Sequence, residues 1–435
     1  DAMGARVMLY DGSMNYLGYI GAGYTGIAPS TAPRPPAWGV GYFAVQQGGG
    51  IAIDKGTDSF IVKQANIGTR FEKYSLSTGS MTMDSYSNGF SYTACWTSGQ
   101  SPTCFDSSIE HFMTPSKLYD YVYIPQGSTG RIMRISKNDL SYQGWIGNGP
   151  TGLGLTGWQT ATTTGLQNLT PANSNCSFSN DITRLYADES GYLYVWDATL
   201  YKITVWDEST GTCIGTLNGT STSLVTTPVH AGTTAWTEKS FWSAYTVLAE
   251  GIIMSKMGKY WYTMNTGAGI IHRWTGISSP YTLTWNSWLG GVAGPGWKTT
   301  TTATNWHTSG SGSGLQLADA SSFSHTTAGA GILAVLSQHN YVKLLSLADG
   351  SYLGSLLASN DYSLSTLNPP TAAVNHHTGN GAVMFMTPYT SFGVTYSNYI
   401  APRGEVSWEP IGQDLYVHSS GTGIYYSGGA LLRYH

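Results

Sequence analysis

The sequence predicts an all-β protein made by repeating a four-stranded unit, and three observations carry that reading. One hairpin pattern recurs: an apolar run, a tight polar turn, and a second run opening on Tyr or Cys and reaching Gly. It runs from Tyr10-Asp11-Gly12-Ser13 into residues 16–21, from residues 135–138 into 142–147, from 206–211 into 213–215 and from 347–350 into 352–354, with a less complete copy at 74–79. A second hairpin, apolar and β-branched runs split by Asp/Gly turns, occurs at 51–62, 182–195 and 252–262, with weaker copies at 372–386 and 406–418. No stretch sustains a helical period. A lone hairpin cannot bury its apolar face, so copies at ~60–70 residue spacing mean stacked repeats.

Taken in order, the hairpins pair into units. The 51–62 type forms the front half of each unit and the other type the back half. Four-stranded units at this spacing are blades of a β-propeller. The chain opens on a back half, residues 6–21, and ends on front-half strands. This is a circular permutation in which the N-terminal hairpin completes the last blade and closes the ring without a free edge. The expectation is one domain over residues 1–435 with about seven four-stranded blades, six or eight being the neighbouring counts because 391–409 is irregular. Leu431-Leu432-Arg433-Tyr434 reads as a spare third strand, able to close the ring or to pair with a neighbouring molecule.

The 182–215 unit, with its "LYVWD" and "ITVWDESTGTCIG" runs, resembles an NHL-type blade. Several back hairpins also run into long Gly/Pro/Thr loops. Residues 18–21 lead to Pro35-Pro36-Ala37-Trp38-Gly39, residues 144–147 to Pro150 and Thr156-Gly157-Trp158, and residues 287–290 to Pro295-Gly296-Trp297. This pattern resembles secreted bacterial NHL-like propellers whose blades are joined by long glycine-rich insertions. The resemblance is specific for fold and implies little about activity. A recurrent Trp would anchor each loop, so ordered loops on one face are expected.

Of the 435 residues 13% are aromatic and 10% charged, with net charge −4 and no basic block. Such a surface hydrogen-bonds and stacks rather than ionises, and it does not suit nucleic acid or an anionic membrane. No apolar run is long enough to span a bilayer. No signal-peptide pattern stands at Asp1; the bland alternative is a cytosolic protein, and a processed, secreted or cell-surface chain is preferred. The four cysteines allow three pairings, and none has zinc spacing. The local pairing, Cys95–Cys104 and Cys176–Cys213, is the simplest. Asn168, Asn175 and Asn218 head Asn-x-Ser/Thr sequons, which matter only if the source glycosylates.

Catalytic motifs are absent: no Walker loop, no His-Glu-x-x-His, no Gly-x-Ser-x-Gly. Gly48-Gly49-Gly50 reads as a blade connector, and the Asp-rich turns at 54–58 and 188–190 as ordinary turns. No cofactor is expected. The best binding candidates are Trp38, Trp158 and Trp297 in the loops, with Trp145 and Trp288 beside them. Such rings stack on sugars or anchor protein contacts; the competing reading is that each loop Trp pins its own loop. Trp196, Trp206 and Trp261 read as inter-blade core.

The leading functional expectation is therefore a non-enzymatic extracellular propeller. It would be structural, adhesive or ligand-binding, meeting protein or glycan at the loop face, with self-assembly into a fibre or layer as a further expectation. The alternative is a propeller enzyme, a lyase or quinoprotein. The NHL resemblance includes a lyase with metal-binding histidines, and His111, His325 and His376 would be the candidates, although they do not share one register of the repeat.

Overall fold

The computed structural model describes residues 6–10, 16–21, 24–28, 51–54, 58–64, 70–77, 80–87, 113–126, 130–148, 154–160, 178, 182–197, 202–218, 224–225, 252–257, 260–265, 270–276, 283–290, 296–299, 322–325, 331–337, 341–356, 389–391, 394–396, 405–408, 415–419 and 430–434. Among them every regular element is a strand. The chain divides into two compact units, Asp1–Lys239 with Ser279–Thr282, and Ser240–Ser278 with Leu283–His435.

The first unit holds four antiparallel sheets, each an up-and-down meander in chain order. The first comprises β1 (Arg6–Tyr10), β2 (Tyr16–Gly21) and β3 (Tyr24–Ala28). The second comprises β4 (Ile51–Asp54), β5 (Ser59–Gln64), β6 (Arg70–Ser77) and β7 (Ser80–Ser87). The third comprises β8 (Thr114–Pro115), β9 (Tyr121–Gln126), β10 (Arg131–Ser136), β11 (Tyr142–Asn148) and β12 (Gly154–Gln159). The fourth comprises β13 (Ile182–Ala187), β14 (Tyr192–Asp197), β15 (Lys202–Asp207), β16 (Cys213–Asn218) and β17 (Leu224–Val225).

The second unit follows the same plan. Its fifth sheet comprises β18 (Ile252–Met257), β19 (Tyr260–Asn265), β20 (Ile270–Gly276) and β21 (Leu283–Gly290). The sixth comprises β22 (Ser322–His325), β23 (Ile332–Ser337), β24 (Tyr341–Ser346) and β25 (Tyr352–Leu356). A small hairpin follows, β26 (Tyr389–Ser391) with β27 (Val394–Tyr396), and then a three-stranded sheet of β28 (Glu405–Trp408), β29 (Leu415–Ser419) and β30 (Ala430–Tyr434).

These meanders are propeller blades. Within each unit the first strands of successive blades lie side by side, β4 beside β8 and β8 beside β13, and β18 beside β22 and β22 beside β28. The faces between them carry the core. Phe71 and Ile61 meet Met133, Ile135 and Trp145 from the next blade; Ile132 and Ile146, on the opposite face of that blade, meet Leu185, Val195 and Trp206. In the second unit Ile271 and Leu289 pack with Leu333, Val335 and Leu345. Both faces of an inner blade are thus buried, which explains strands that read as continuous apolar runs instead of alternating ones.

One local signature marks third and fourth strands throughout. Their register slips once, between Leu9 and Tyr10, Lys73 and Tyr74, Arg134 and Ile135, Val205 and Trp206, Arg273 and Trp274, and Leu344 and Leu345. This bulge identifies β1 and β2 as third and fourth strands, in agreement with the back-half reading of residues 6–21. β1 pairs with β2, and β30 pairs with β29 in the third place of the last sheet.

Candidate functional site

Trp158 and Trp297 occupy the same structural position in two blades. Each lies just beyond a fourth strand, in the Gly/Pro/Trp loop, and the loop returns as an extra edge strand. β12 pairs with β11, and Lys298 bridges Trp288 with backbone bonds of 2.9 and 2.7 Å. Each Trp then reaches the third-to-fourth-strand turn of the following blade. Gly157 N donates to Gly211 O (2.9 Å), Trp158 N to Thr210 O (3.3 Å) and Trp158 Nε1 to Glu208 O (2.9 Å). Gly296 N donates to Gly350 O (2.6 Å), Trp297 N to Asp349 O (2.9 Å) and Trp297 Nε1 to Leu347 O (3.0 Å). The two sets correspond bond for bond.

The indoles are half-buried and clamped. Arg134 Cζ lies 4.0 Å from the Trp158 ring centroid and 4.5 Å from that of Tyr121. Arg273 Cζ lies 4.4 Å from Trp297 and 4.9 Å from Tyr260. Each guanidinium is therefore sandwiched between two aromatic faces, a geometry worth ~1 kcal/mol or more when part-buried. Tyr123 stacks on Trp158 at 5.8 Å and Tyr262 tilts against Trp297 at 6.0 Å. Burial lowers the pKa of both arginines and raises those of both tyrosines, that of Tyr262 to about 12.

The receiving turns require glycine. Gly211 and Gly350 have φ of 70° and 74°, and a Cβ would stand 2.6 Å from Trp158 N and 2.7 Å from Trp297 N respectively. The third sheet holds Leu140 at the equivalent turn position, with φ 60°, its side chain buried in the core. The left-handed conformation is tolerated there by Leu; the space beside the indole is what demands Gly. In sequence order Trp38 precedes Gly79 in the same way, but both lie outside the described residues.

Beneath the Trp158 contact is a buried polar chain linking three blades. Glu208 Oε2 accepts hydrogen bonds from Ser116 Oγ and from Tyr123 OH (3.0 Å), while Oε1 is buried without a hydrogen-bond partner. Lys137 Nζ donates to Ser116 O at 2.8 Å and meets Asp54 of the preceding blade at 3.4 Å. Burial raises the Glu208 pKa, with nearby Asp188 acting in the same sense and Ser116, Tyr123 and Lys137 opposing. Asp188 caps its own turn, accepting from Ser190 N (2.8 Å) and Tyr192 N (3.1 Å). In the sixth sheet the residue equivalent to Glu208 is Leu347. Lys343, deeper in that blade, is fully buried and its pKa is lowered to about 7 by desolvation.

The remaining expected residues are dispersed. Trp145 and Trp288 are 0% and 1% exposed, so their rings face core; Arg131 lies over Trp145 at 5.4 Å. Trp196 and Trp206 are buried likewise. His325 ends β22, the first strand of its blade. Cys213 opens β16 and packs at the margin of the core, and Asn218 ends β16. Trp38, His111, His376, Cys95, Cys104, Cys176, Asn168 and Asn175 lie outside the described residues. Among the described residues no group of three His, Cys, Asp or Glu is arranged to hold a metal, and no helix is long and apolar enough to cross a membrane.

No protein-family model matches the chain, and no curated protein matches it. Solved structures similar to it include Hsv2 from Kluyvelomyces marxianus, at 9% identity and TM-score 0.37 over 85% of this chain and 72% of that one. BamB from Moraxella catarrhalis is similar at 11% identity and TM-score 0.38, over 85% of this chain and 81% of that one.

Proposed function

We propose that this chain is an extracellular, non-enzymatic propeller, a rigid structural or adhesive platform that meets protein or glycan at its latched turns. The observation that carries the reading is the duplicated latch. Loops long enough to act as mobile lids are instead tied to the next blade by three matched hydrogen bonds and an Arg clamp. A platform benefits from such fixation, because pre-ordered turns lose little entropy on binding.

In the first unit the receiving turn exposes Ser209 and Thr210, and Leu118 is 53% exposed on the first turn of the third sheet; in the second unit the receiving turn exposes Ala348 and the ionised Asp349. The only ion pair at the Leu118 turn among the described residues is Lys117–Glu189 at 2.7 Å. Self-association into a fibre or layer belongs to the same reading, since a surface with few charges has little guard against it. Cys213 is disulfide-bonded, which supports an oxidising compartment, with Cys176 the partner we propose and Cys95–Cys104 the second bridge.

A metal-dependent enzyme is the second reading, favoured by the placement of His325 on a first strand. One pair of measurements separates them. The platform reading expects metal-free protein that binds an immobilised neutral polysaccharide or protein ligand, with binding weakened by Leu118→Asp and Thr210→Lys. Stoichiometric zinc or copper, lost on His325→Ala or His376→Ala, together with binding indifferent to the turn variants, would overturn it.

A further inference from the structure

We propose that the disulfide at Cys213 is a redox switch for one latch: intact, it seats the turn that receives Trp158, and its reduction by a dithiol releases that indole while Trp297 stays fixed. The proposal rests on the Cys176–Cys213 pairing given above only for the identity of the second sulfur.

The observation is an exchange of residue type within a repeated turn. In the third sheet Ser136 N donates to Ser141 O (2.9 Å) and Leu140 N to Ser136 O (3.1 Å), and the next residue, opposite Ile135, is Tyr142. In the sixth sheet Ser346 N donates to Ser351 O (2.9 Å) and Gly350 N to Ser346 O (2.8 Å), and the next residue, opposite Leu345, is Tyr352. In the fourth sheet Asp207 N donates to Thr212 O (2.9 Å) and Gly211 N to Asp207 O (2.8 Å), and the next residue, opposite Trp206, is Cys213. Two blades open the fourth strand on a tyrosine ring; this one opens it on a disulfide-bonded sulfur.

The exchange lies beside the latch. Tyr352 and Trp297 pack against one core, Cys213 and Trp158 against its counterpart in the first unit. A cysteine side chain covers far less core than a tyrosine ring. Seating the start of β16 therefore falls to the cross-link, which restrains the chain where packing is thin. The turn it seats supplies all three acceptors of the latch, the carbonyls of Glu208, Thr210 and Gly211. Phe178, buried with its ring 5.4 Å from that of Trp206, brings the backbone of residue 176, two positions earlier, into the neighbourhood of the Trp206–Cys213 pair. Cys213 is half-buried, so a reductant reaches the bridge from solvent.

The chemistry is thiol–disulfide exchange. A thiolate of the dithiol attacks one bridge sulfur, forming a mixed disulfide and expelling the other cysteine, which takes up a proton. The second thiol of the reductant then closes its own disulfide and frees the first cysteine. Two electrons pass to the bridge and two protons end on the two cysteines.

The test uses the full chain labelled with ¹⁵N-tryptophan, before and after excess dithiothreitol, with thiol labelling to show that Cys213 is reduced. Exchange of the Trp158 Nε1–H should speed up about tenfold or more on reduction. The Trp297 Nε1–H and the backbone amides of β14, inside the same blade as Cys213, should keep their protection. Cys213→Ser should release Trp158 without reductant. Cys213→Tyr, which supplies the ring the other two blades carry, should hold Trp158 protected with and without dithiothreitol. Unchanged Trp158 exchange once Cys213 is reduced overturns the proposal. Release of Trp158 only together with the β14 amides also overturns it, because that is unfolding of the blade. Peptide mapping that joins Cys213 to Cys95 or Cys104, with Trp158 still released on reduction, would support the switch and remove the Cys176 pairing alone.

Discussion

The latch between the third and fourth sheets and the latch between the fifth and sixth are the same device over different floors. Above, they match: Gly-Trp in the loop, Arg sandwiched by Trp and Tyr, Gly in the receiving turn. Below, Glu208 continues into a buried chain of Ser116, Tyr123, Lys137 and Asp54, whereas Leu347 continues into apolar core. The comparison separates what the latch needs from what each blade adds. It needs two backbone carbonyls, a third for the indole N–H, and room where a Cβ would stand. The side chain beneath is free to vary because only its backbone oxygen is used.

The largest effect should come from filling that room. Gly211→Val and Gly350→Val would each force a Cβ to within 3 Å of a Trp backbone nitrogen, in a left-handed conformation unfavourable for a β-branched residue; a loss of about 3 kcal/mol or more is expected in either unit. Leu140→Gly, at the equivalent turn with no Trp beside it among the described residues, should act through lost core packing. Equal costs at Gly211 and at a surface glycine would break the equivalence.

Truncating the rings comes next. Trp158→Ala and Trp297→Ala should each cost roughly 3 kcal/mol by denaturant unfolding, combining lost burial with a lost indole hydrogen bond. Double-mutant cycles of Arg134 with Trp158 and of Arg273 with Trp297 should each return a coupling of about 1 kcal/mol.

The floors should then differ in pH response. Lys343 has a folded pKa lowered to about 7, below its unfolded value. The unfolded chain binds more protons between the two values, so stability rises with pH from about 7 towards 10. Lys343→Met should flatten that rise between about pH 7 and pH 10. Glu208 has the opposite sign: its pKa is raised in the fold, so its contribution is present below the unfolded carboxylate value and lost as pH rises through the folded one. Glu208→Gln should raise the midpoint slightly at neutral pH and leave it unchanged in acid, while the fifth–sixth latch shows no such response. A wild-type stability independent of pH around both groups would contradict these assignments.

Much of the fold was legible because it depends on periodicity. The hairpins at 51–62, 182–195 and 135–147 sit where apolar runs and Asp/Gly turns put them. Short first strands were not legible: Thr114–Pro115 and Ser322–His325 have no apolar run to announce them and owe their place to neighbouring blades. The loop tryptophans were visible as anchors, but their partners were backbone oxygens of Thr210, Glu208, Asp349 and Leu347, which no side-chain pattern encodes. The available signal was the contrast between Gly211 or Gly350 and Leu140. Glu208, inside Asp207-Glu208-Ser209-Thr210-Gly211, reads as a solvated turn residue; only packing against Ser116 and Tyr123 buries it.

The central claim is that Trp158 and Trp297 are each fixed to the following blade, and indole hydrogen exchange tests it most directly. In protein labelled with ¹⁵N-tryptophan, the Nε1–H groups of Trp158 and Trp297 should exchange far more slowly than a free indole. Gly211→Val should release Trp158 alone and Gly350→Val should release Trp297 alone. Exchange of both indoles at the free rate in the wild-type protein would contradict the account.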